Sequence, residues 1–256
     1  MTDQQYETLT VERTDGVARV TISGTSKMNT LTLQTTRELE AASSDLVEDD
    51  DVGCIVLTGE GENFGAGADL SQFAGDETDA PHIRQLATSL HNSIVQLHLC
   101  EKPILTAVSG VAAGAGFSLA IGGDVVLVRE DARLKFAYPG VGLTGDGGAT
   151  YFLPRLVGLR NAREIALLDE PIDAERAVDL GLATEVVARD EFDARVDDRA
   201  TELTARPTEA IGTTKRLLFE SYDRDLAGHL SAETNAITEA TRGEEYREGI
   251  APFLDE

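Results

Sequence analysis

Short apolar runs alternate with amphipathic segments over the first two thirds of the chain. The runs are rich in Val, Ile and Leu and predict strands, whereas apolar residues at helical spacing predict helices between them. The predicted strands cover residues 6–13, 17–23, 52–57, 103–108, 125–128 and 134–137, and the predicted helices cover residues 31–46, 81–100 and a short segment that begins at Ala115. A strand–strand–helix order recurs in this series, which indicates an α/β fold.

The last third of the chain has a different pattern. From about residue 171 the strand pattern is limited to residues 184–187, and helical spacing covers residues 192–205, 210–222, 227–240 and 243–253. We therefore predict two parts, an α/β core over residues 1–195 and a mainly helical C-terminal segment over residues 196–256.

Two stretches built from glycine and alanine occur within the core. Residues 64–70 (FGAGADL) and 110–119 (GVAAGAGFSL) each follow an apolar strand pattern and lead towards a helix. No bulky side chain keeps a ligand from the backbone there, and the first N–H groups of a helix are unpaired and partially positive. Two such ends at one point form an oxyanion hole, which suits the enolate of a thioester. The alternative is that the glycines only allow close packing.

The charge of the chain changes the expected environment. Asp and Glu number 46, and Lys and Arg number 22, among 256 residues; the net charge is −24, and only four of the basic residues are lysines. Repulsion among these charges opposes folding unless salt screens it, and the Debye length falls to about 3 Å at 1 M salt. The composition favours a halophilic protein, with an ordinary acidic protein as the alternative. It argues against nucleic acid as a partner, because phosphate binding requires cationic contacts.

Signals for a membrane, for secretion or for a metal are missing from the sequence pattern. No apolar run approaches the length of about 18 residues that a membrane span needs, and the first five residues have neither part of a secretory signal. Cys54 and Cys100 lack the spacing of a metal site, and we expect both to be buried thiols. The expected protein is cytoplasmic, with no membrane partner and no metal.

Several short motifs follow one another along the chain. They are IVLTG at 55–59 with FGAGADL at 64–70, KP at 102–103 with VSG at 108–110 and AAGAG at 112–116, GL at 142–143 with DGG at 146–148, LPRLVG at 153–158, and REGI at 247–250. Each is weak alone, but in this order they resemble the crotonase (enoyl-CoA hydratase/isomerase) superfamily over about residues 11–253. The resemblance implies a spiral of ββα repeats with a helical C-terminal trimerisation segment. It also implies a homotrimer or a hexamer built as a dimer of trimers, and an acyl-CoA substrate that supplies coenzyme A itself, with no separate cofactor.

The resemblance also implies site residues. The N–H groups of Ala68 and Ala115 would hold the thioester oxygen, and Ala115 keeps this donor where the family more often has glycine. Lys27 and Met28 match positions on the adenine side of CoA, and Phe253 matches an aromatic residue that reaches the CoA of a neighbouring subunit. The substrate- and CoA-binding residues expected on this basis are Lys27, Met28, Ala66, Gly67, Asp69, Leu70, Gly114, Ser118 and Phe253.

The residue that moves a proton is a separate question. Hydratases of this family use two glutamates, and the matching positions here hold Ser118 and Gly140. The remaining candidate is Asp146, because TGDGGAT at 144–150 resembles the loop that bears an aspartate in the phenylacetate-pathway isomerases, the Δ3,Δ2-enoyl-CoA isomerases and an aryl-CoA dehalogenase. One carboxylate suffices to move a proton between two carbons of a thioester enolate. The alternative is that Asp146 only caps the helix that begins near Gly147.

Three functions therefore remain open. We favour isomerisation of a 3-enoyl-CoA to a 2-enoyl-CoA with Asp146 as proton shuttle. The alternatives are hydration of a 2-enoyl-CoA and a non-catalytic acyl-CoA-binding role. His91 and His98 have no third ligand at suitable spacing for a metal, so we expect packing or surface roles for them, although the resemblance allows one of them, or His82, to border the pocket.

Overall fold

The computed structural model describes residues 6–24 and 26–254. The first five residues, on which the expectation about secretion rests, lie outside the described residues. The strands of the described part are β1 (Leu9–Thr14), β2 (Val17–Ile22), β3 (Cys54–Gly59), β4 (Ile104–Val108), β5 (Val111–Ala113), β6 (Val125–Arg129), β7 (Arg133–Lys135), β8 (Ile172–Asp173) and β9 (Glu185–Val187). Its α-helices are α1 (Leu33–Glu48), α2 (Ala80–Leu99), α3 (Ala115–Ile121), α4 (Ala149–Leu168), α5 (Ala174–Leu180), α6 (Phe192–Thr204), α7 (Thr208–Glu220), α8 (Leu226–Ala240) and α9 (Glu244–Leu254).

Six strands form the main sheet in the order β1-β2-β3-β4-β6-β9, and β5-β7-β8 form a smaller one. The antiparallel hairpin of β1 and β2 pairs Leu9 with Ile22, and the other neighbours in the main sheet are parallel. The predicted strand–strand–helix order recurs as β1-β2-α1, β4-β5-α3 and β6-β7-α4. The predicted α/β fold is therefore confirmed.

Both faces of the main sheet are covered. In β3, Ile55 and Leu57 point into the larger apolar cluster, whereas Cys54 and Val56 point to the opposite face, towards α6. Central strands of a parallel sheet are apolar at every position for this reason. Because β3 and β4 run parallel, the two glycine- and alanine-rich stretches that follow them start from the same edge of the sheet. Of the two thiols expected to be buried, Cys54 is buried and Cys100 only partly so.

The sequence pattern indicates a helix that begins near Gly147 but not the length of α4, and it misses α5, β5 and β8. Helix α4 contains Pro154 and is kinked at Gly158, whose φ of 72° is not helical. These two residues normally end a helix, so the local pattern does not predict a helix of this length. The strands β5 and β8 have three and two residues, too few for a periodicity to show.

The α/β core extends beyond the predicted boundary at residue 195. Helix α6 starts before that boundary and ends after it, and it buries Phe192, Val196 and Ala200 against the main sheet. The helical C-terminal segment therefore begins with α7. Large apolar side chains on α7, α8 and α9 remain exposed in the single chain: Leu218, Leu226, Leu230, Ile237 and Phe253. An oligomer would cover such faces, and its formation stays a prediction.

Carboxylates line a groove beside the β1–β2 hairpin. The acidic residues of this groove are Asp15, Asp45, Glu48, Asp49, Asp50 and Asp51. One basic side chain, Arg13, also lines it and lies 3.2 Å from Asp49 through its Nε atom. The six carboxylates of the groove therefore outnumber the basic side chains that line it.

Lowering KCl from molar to millimolar concentration should destabilise the protein. We expect the Tm to fall by roughly 10 °C, because unscreened repulsion disfavours the compact state. Thermal unfolding and light scattering at both salt concentrations measure stability and oligomer size. The variant Asp50→Asn/Asp51→Asn should show a weaker salt dependence. An unchanged Tm and an unchanged size would contradict the halophilic interpretation.

Candidate active site

The two glycine- and alanine-rich stretches lie side by side. Gly65 N–H donates to Val111 O at 3.0 Å, and Ala113 N–H donates to Gly65 O at 2.9 Å. A Cβ atom at Gly116 would lie 2.0 Å from Gly65 O, so this glycine is required for the close approach. The close-packing explanation is therefore correct for Gly116.

Gly67 lies where the stretches enclose open space. Its φ is +82°, and a Cβ atom there would lie 3.1 Å from Ala115 N and 3.0 Å from Ala113 O. In the described part of the chain, neither Ala68 N–H nor Ala115 N–H has a hydrogen-bond acceptor. Ala115 is the first residue of α3, after the N-cap Gly114, where N–H groups have no partner within the helix. An oxygen atom of a substrate can therefore occupy the space beside Gly67 and accept a hydrogen bond from Ala115 N–H.

This space opens into a cavity of about 230 Å³. Apolar side chains from the loop after β3, from α2 and from the loop after β7 form most of its wall: Leu70, Phe73, Ile83, Leu86, Val141 and Leu143. Seven residues predicted from the sequence also line it: Ala66, Gly67, Ala68, Leu70, Gly114, Ala115 and Asp146. Asp146 is the single carboxylate among the described residues of the wall. An apolar chamber with two free N–H donors and one acid can accommodate a reactive acyl group.

Asp146 contacts a histidine. Its Oδ1 atom lies 2.5 Å from Nε2 of His91, a residue of α2, and the two side chains are 32% and 47% exposed. An O···N separation this short is that of a hydrogen bond. Gly147 N–H also points at Nε2, at 3.4 Å. His91 therefore holds the Asp146 side chain in place at the cavity wall.

The helix-cap alternative for Asp146 does not match the structure. The N-cap of α4 is Gly148, and no side chain caps this helix. The carboxylate of Asp146 faces His91, and only the main-chain oxygen of Asp146 accepts a bond from Ala149 N–H, at 3.1 Å. The side chain is therefore free for chemistry in the cavity.

Ser118 and Tyr138 support the loop of Asp146 from behind. The fully buried Ser118 donates from Oγ to Asp146 O at 2.8 Å, and Tyr138 OH lies 3.2 Å from the same Oγ. Burial raises the pKa of Tyr138 to about 12, so its hydroxyl stays neutral and can donate to Ser118. Gly147, with a φ of +59°, leaves no room for a side chain, because a Cβ atom would lie 2.8 Å from Ser118 Cβ.

Several predicted binding residues do not line the cavity. Ser118 is buried behind it, and the Asp69 carboxylate accepts from Ser71 N–H at 3.1 Å and from Ser71 Oγ at 2.6 Å. The exposed Lys27 and Met28 lie next to the loop that carries Ala68. Ala66 N–H in this loop donates to Met28 O at 2.9 Å.

Phe253 is remote from the cavity within one chain. It is 77% exposed and lines a separate groove formed by α7, α8 and α9. The predicted contact with the CoA of a neighbouring subunit therefore stays a prediction.

Sequence reasoning named His91 only as one of three histidines of which one could border the pocket, and it missed Tyr138 as a site residue. The contact between His91 and Asp146 joins positions 55 residues apart, so no local pattern could indicate it. The two positions at which hydratases of the family carry glutamates are occupied by the buried Ser118 and the exposed Gly140, and neither lines the cavity.

Residues 6–24 and 26–254 lack two further features. Within these ranges, no helix is both long enough and apolar enough to cross a membrane. The same ranges contain no group of three or more His, Cys, Asp or Glu side chains arranged to hold a metal ion.

Comparisons with known proteins place the chain in a family. The family model described as enoyl-CoA hydratase/isomerase matches residues 12–256. The chain is 33% identical over 241 residues to 1,2-epoxyphenylacetyl-CoA isomerase of Escherichia coli (strain K12), which covers 93% of this chain and 92% of that protein. It is 32% identical over 247 residues to 4-chlorobenzoyl coenzyme A dehalogenase-2 of Arthrobacter sp, with 96% and 90% covered.

A solved structure agrees with this assignment. The crystal structure of an enoyl-CoA hydratase from Polaromonas sp. JS666 matches with a TM-score of 0.90 and 30% identity over 96% of each chain. The fold, including its C-terminal helices, is therefore the crotonase fold, as the resemblance implied. Because the family model matches almost the whole chain, the protein belongs to the enoyl-CoA hydratase/isomerase family.

Proposed function

We propose that the protein isomerises a 3-enoyl-CoA to a 2-enoyl-CoA and that Asp146 moves the proton. One observation carries this proposal: Asp146 is the single carboxylate on the described wall of a cavity that also presents the unpaired N–H groups of Ala68 and Ala115. A reaction that needs one acid/base group and an oxyanion hole fits this set of groups.

The thioester oxygen of the substrate binds in the space in front of Ala68 and Ala115. Asp146 takes a proton from the α-carbon, and the negative charge that develops on the oxygen is stabilised by the two donors. The same carboxyl group then returns the proton to the γ-carbon, so the double bond moves from between C3 and C4 to between C2 and C3. No water is added, and the mass of the substrate does not change.

His91 and Ser118 serve this transfer in different ways. His91 contacts one oxygen of Asp146, and the other carboxylate oxygen has no hydrogen-bond partner in the described part of the chain. The free oxygen is the one that exchanges the proton with carbon. Ser118 fixes the main chain of Asp146 and does not contact the substrate.

The family supports an acyl-CoA as the substrate, and the rest of the assignment is proposed with it. Coenzyme A enters as part of the substrate, and the reaction needs no separate cofactor or metal. The active form is a homotrimer or a dimer of trimers, in which the exposed apolar faces of α7, α8 and α9 are covered. The protein acts in the cytoplasm.

The two alternatives explain less of the site. Addition of water requires a base and an acid about one water apart, and the cavity offers Asp146 with only His91 beside it. A purely binding protein would have no use for a carboxylate that is hydrogen-bonded to an imidazole next to unpaired donors.

A second candidate reaction is hydrolytic removal of halogen from an aryl-CoA. The contact between Asp146 and His91 favours it, since a nucleophile beside a base is typical of covalent catalysis. Asp146 would displace halide from the ring to form an ester, and water activated by His91 would cleave that ester. The similarity to 4-chlorobenzoyl coenzyme A dehalogenase-2 also supports it.

One assay separates these reactions. The protein in molar KCl is incubated with a 3-enoyl-CoA, a 2-enoyl-CoA and 4-chlorobenzoyl-CoA, and the products are analysed by mass and by chromatography. We expect the 3-enoyl-CoA to change retention time at constant mass. A gain of one water from the 2-enoyl-CoA, or release of chloride, without any isomerisation would contradict the proposal.

A further inference from the structure

Ala137 has an unusual backbone conformation in the wall of the cavity. Its φ is +61°, a left-handed value that residues with a Cβ atom adopt rarely, and alanine has no polar side chain to compensate. Such strain persists only where surrounding contacts impose it, and it is common at functional sites.

Asp169, the residue that follows α4, forms a hydrogen bond with the main chain of Ala137. Its Oδ1 atom accepts the N–H of Ala137 at 2.6 Å, and its Oδ2 atom lies 3.6 Å from Nζ of Lys135. The Asp169 side chain is 11% exposed. Asp169 is itself left-handed, with a φ of +54°, and its own N–H ends the helix by donating to Ile165 O.

The segment of residues 135–138 joins the two halves of the site. Lys135 O accepts the N–H of Gly114, the residue before the donor Ala115, at 3.2 Å. At the other end of the segment, Tyr138 OH contacts Ser118 Oγ, which donates to Asp146 O. The conformation at Ala137 therefore determines how far the oxyanion donor lies from the loop of the acid.

We propose that Asp169 is a positioning residue, which keeps Ala137 left-handed and thereby sets the distance between the Ala115 donor and Asp146. It touches no substrate, because it lies outside the cavity wall. The proposal rests on the proposed isomerase function for its kinetic part and on the hydrogen bond to Ala137 for its structural part.

The test compares variants in which residue 169 can still adopt the left-handed backbone conformation. Asp169→Gly removes the acceptor, and Asp169→Asn retains it, because asparagine tolerates this conformation and keeps an amide oxygen. For Asp169→Gly we expect kcat to fall by about tenfold with KM within about twofold of the wild type, since misplaced groups slow the chemical step. Asp169→Asn should keep most of the turnover.

Rescue by a second substitution distinguishes positioning from general destabilisation. Glycine adopts a φ of +61° without steric cost, so Asp169→Gly/Ala137→Gly should recover most of the lost kcat. A role in stability alone would predict further loss, because a second glycine adds chain entropy to the unfolded state. An unchanged kcat in Asp169→Gly, or no recovery in the double variant, would overturn the proposal.

Amide hydrogen exchange gives a readout that does not depend on the reaction. The N–H of Ala137 should exchange faster in Asp169→Gly than in the wild type and in Asp169→Asn. If the wild type does not isomerise but this pattern is observed, the proposed function fails while the structural role of Asp169 is supported. Equal exchange in all three proteins would overturn the role of Asp169.

Discussion

Asp146→Asn is expected to lower kcat for isomerisation by roughly 10²–10⁴, while the fold and the affinity for acyl-CoA are kept. The amide cannot take a proton from the α-carbon, and the described cavity wall has no second carboxylate to replace it. The amide of asparagine has nearly the same size as the carboxylate of Asp146, so the contact with His91 can persist. Steady-state kcat and KM, together with entry of solvent deuterium at the α-carbon, measure the effect, and deuterium entry should stop.

Two other variants serve as controls for this result. Asp179→Asn makes the same change of charge at an exposed site on α5 and should leave kcat unchanged. Ser118→Ala removes one hydrogen bond to the main chain of Asp146 and should reduce kcat by at most about tenfold. The opposite ranking, with Ser118 essential and Asp146 dispensable, would assign the chemistry to other groups.

Ala68→Pro should reduce turnover by roughly 10²–10³, because proline has no N–H and one oxyanion donor is lost. The matched variant Ala68→Gly keeps the donor and should remain active. Both variants are compared by kcat and by the absorption of a bound conjugated acyl-CoA, whose thioester carbonyl is less polarised when a donor is missing. A folded Ala68→Pro variant that binds acyl-CoA and turns over normally would show that Ala68 is not a donor.

The fold was predictable where its cause is local. The central strands β3 and β4 are apolar at almost every position because both faces of the sheet are covered, and this pattern is visible in the sequence. The start of α4 near Gly147 was expected, but its length was not predictable, because Pro154 and the kink at Gly158 interrupt its pattern. The predicted boundary at residue 195 falls inside α6, because a helical pattern does not tell whether such a helix packs on the sheet.

The candidate site divides in the same way. The two glycine- and alanine-rich stretches could be predicted, because glycine-rich turns are properties of short segments, and the family resemblance assigned the expected donors Ala68 and Ala115 within them. The structure leaves both N–H groups without an acceptor in its described part. The contact of His91 with Asp146 depends on how α2 packs beside a loop 55 residues later. The sequence around Ala137 does not indicate its left-handed conformation, because the contact with Asp169 that accompanies it comes from a residue 32 positions later.

In the proposed reaction the oxyanion donors are main-chain groups, and this affects how such a protein can evolve. Almost any substitution at Ala68 or Ala115 leaves an N–H in place, so mutational drift rarely abolishes stabilisation of the enolate. In the proposed reaction the fate of that enolate depends on a few side chains, above all Asp146 and its partner His91. A lineage built on this scaffold can therefore exchange one reaction for another through one or two substitutions without a non-functional ancestor between them.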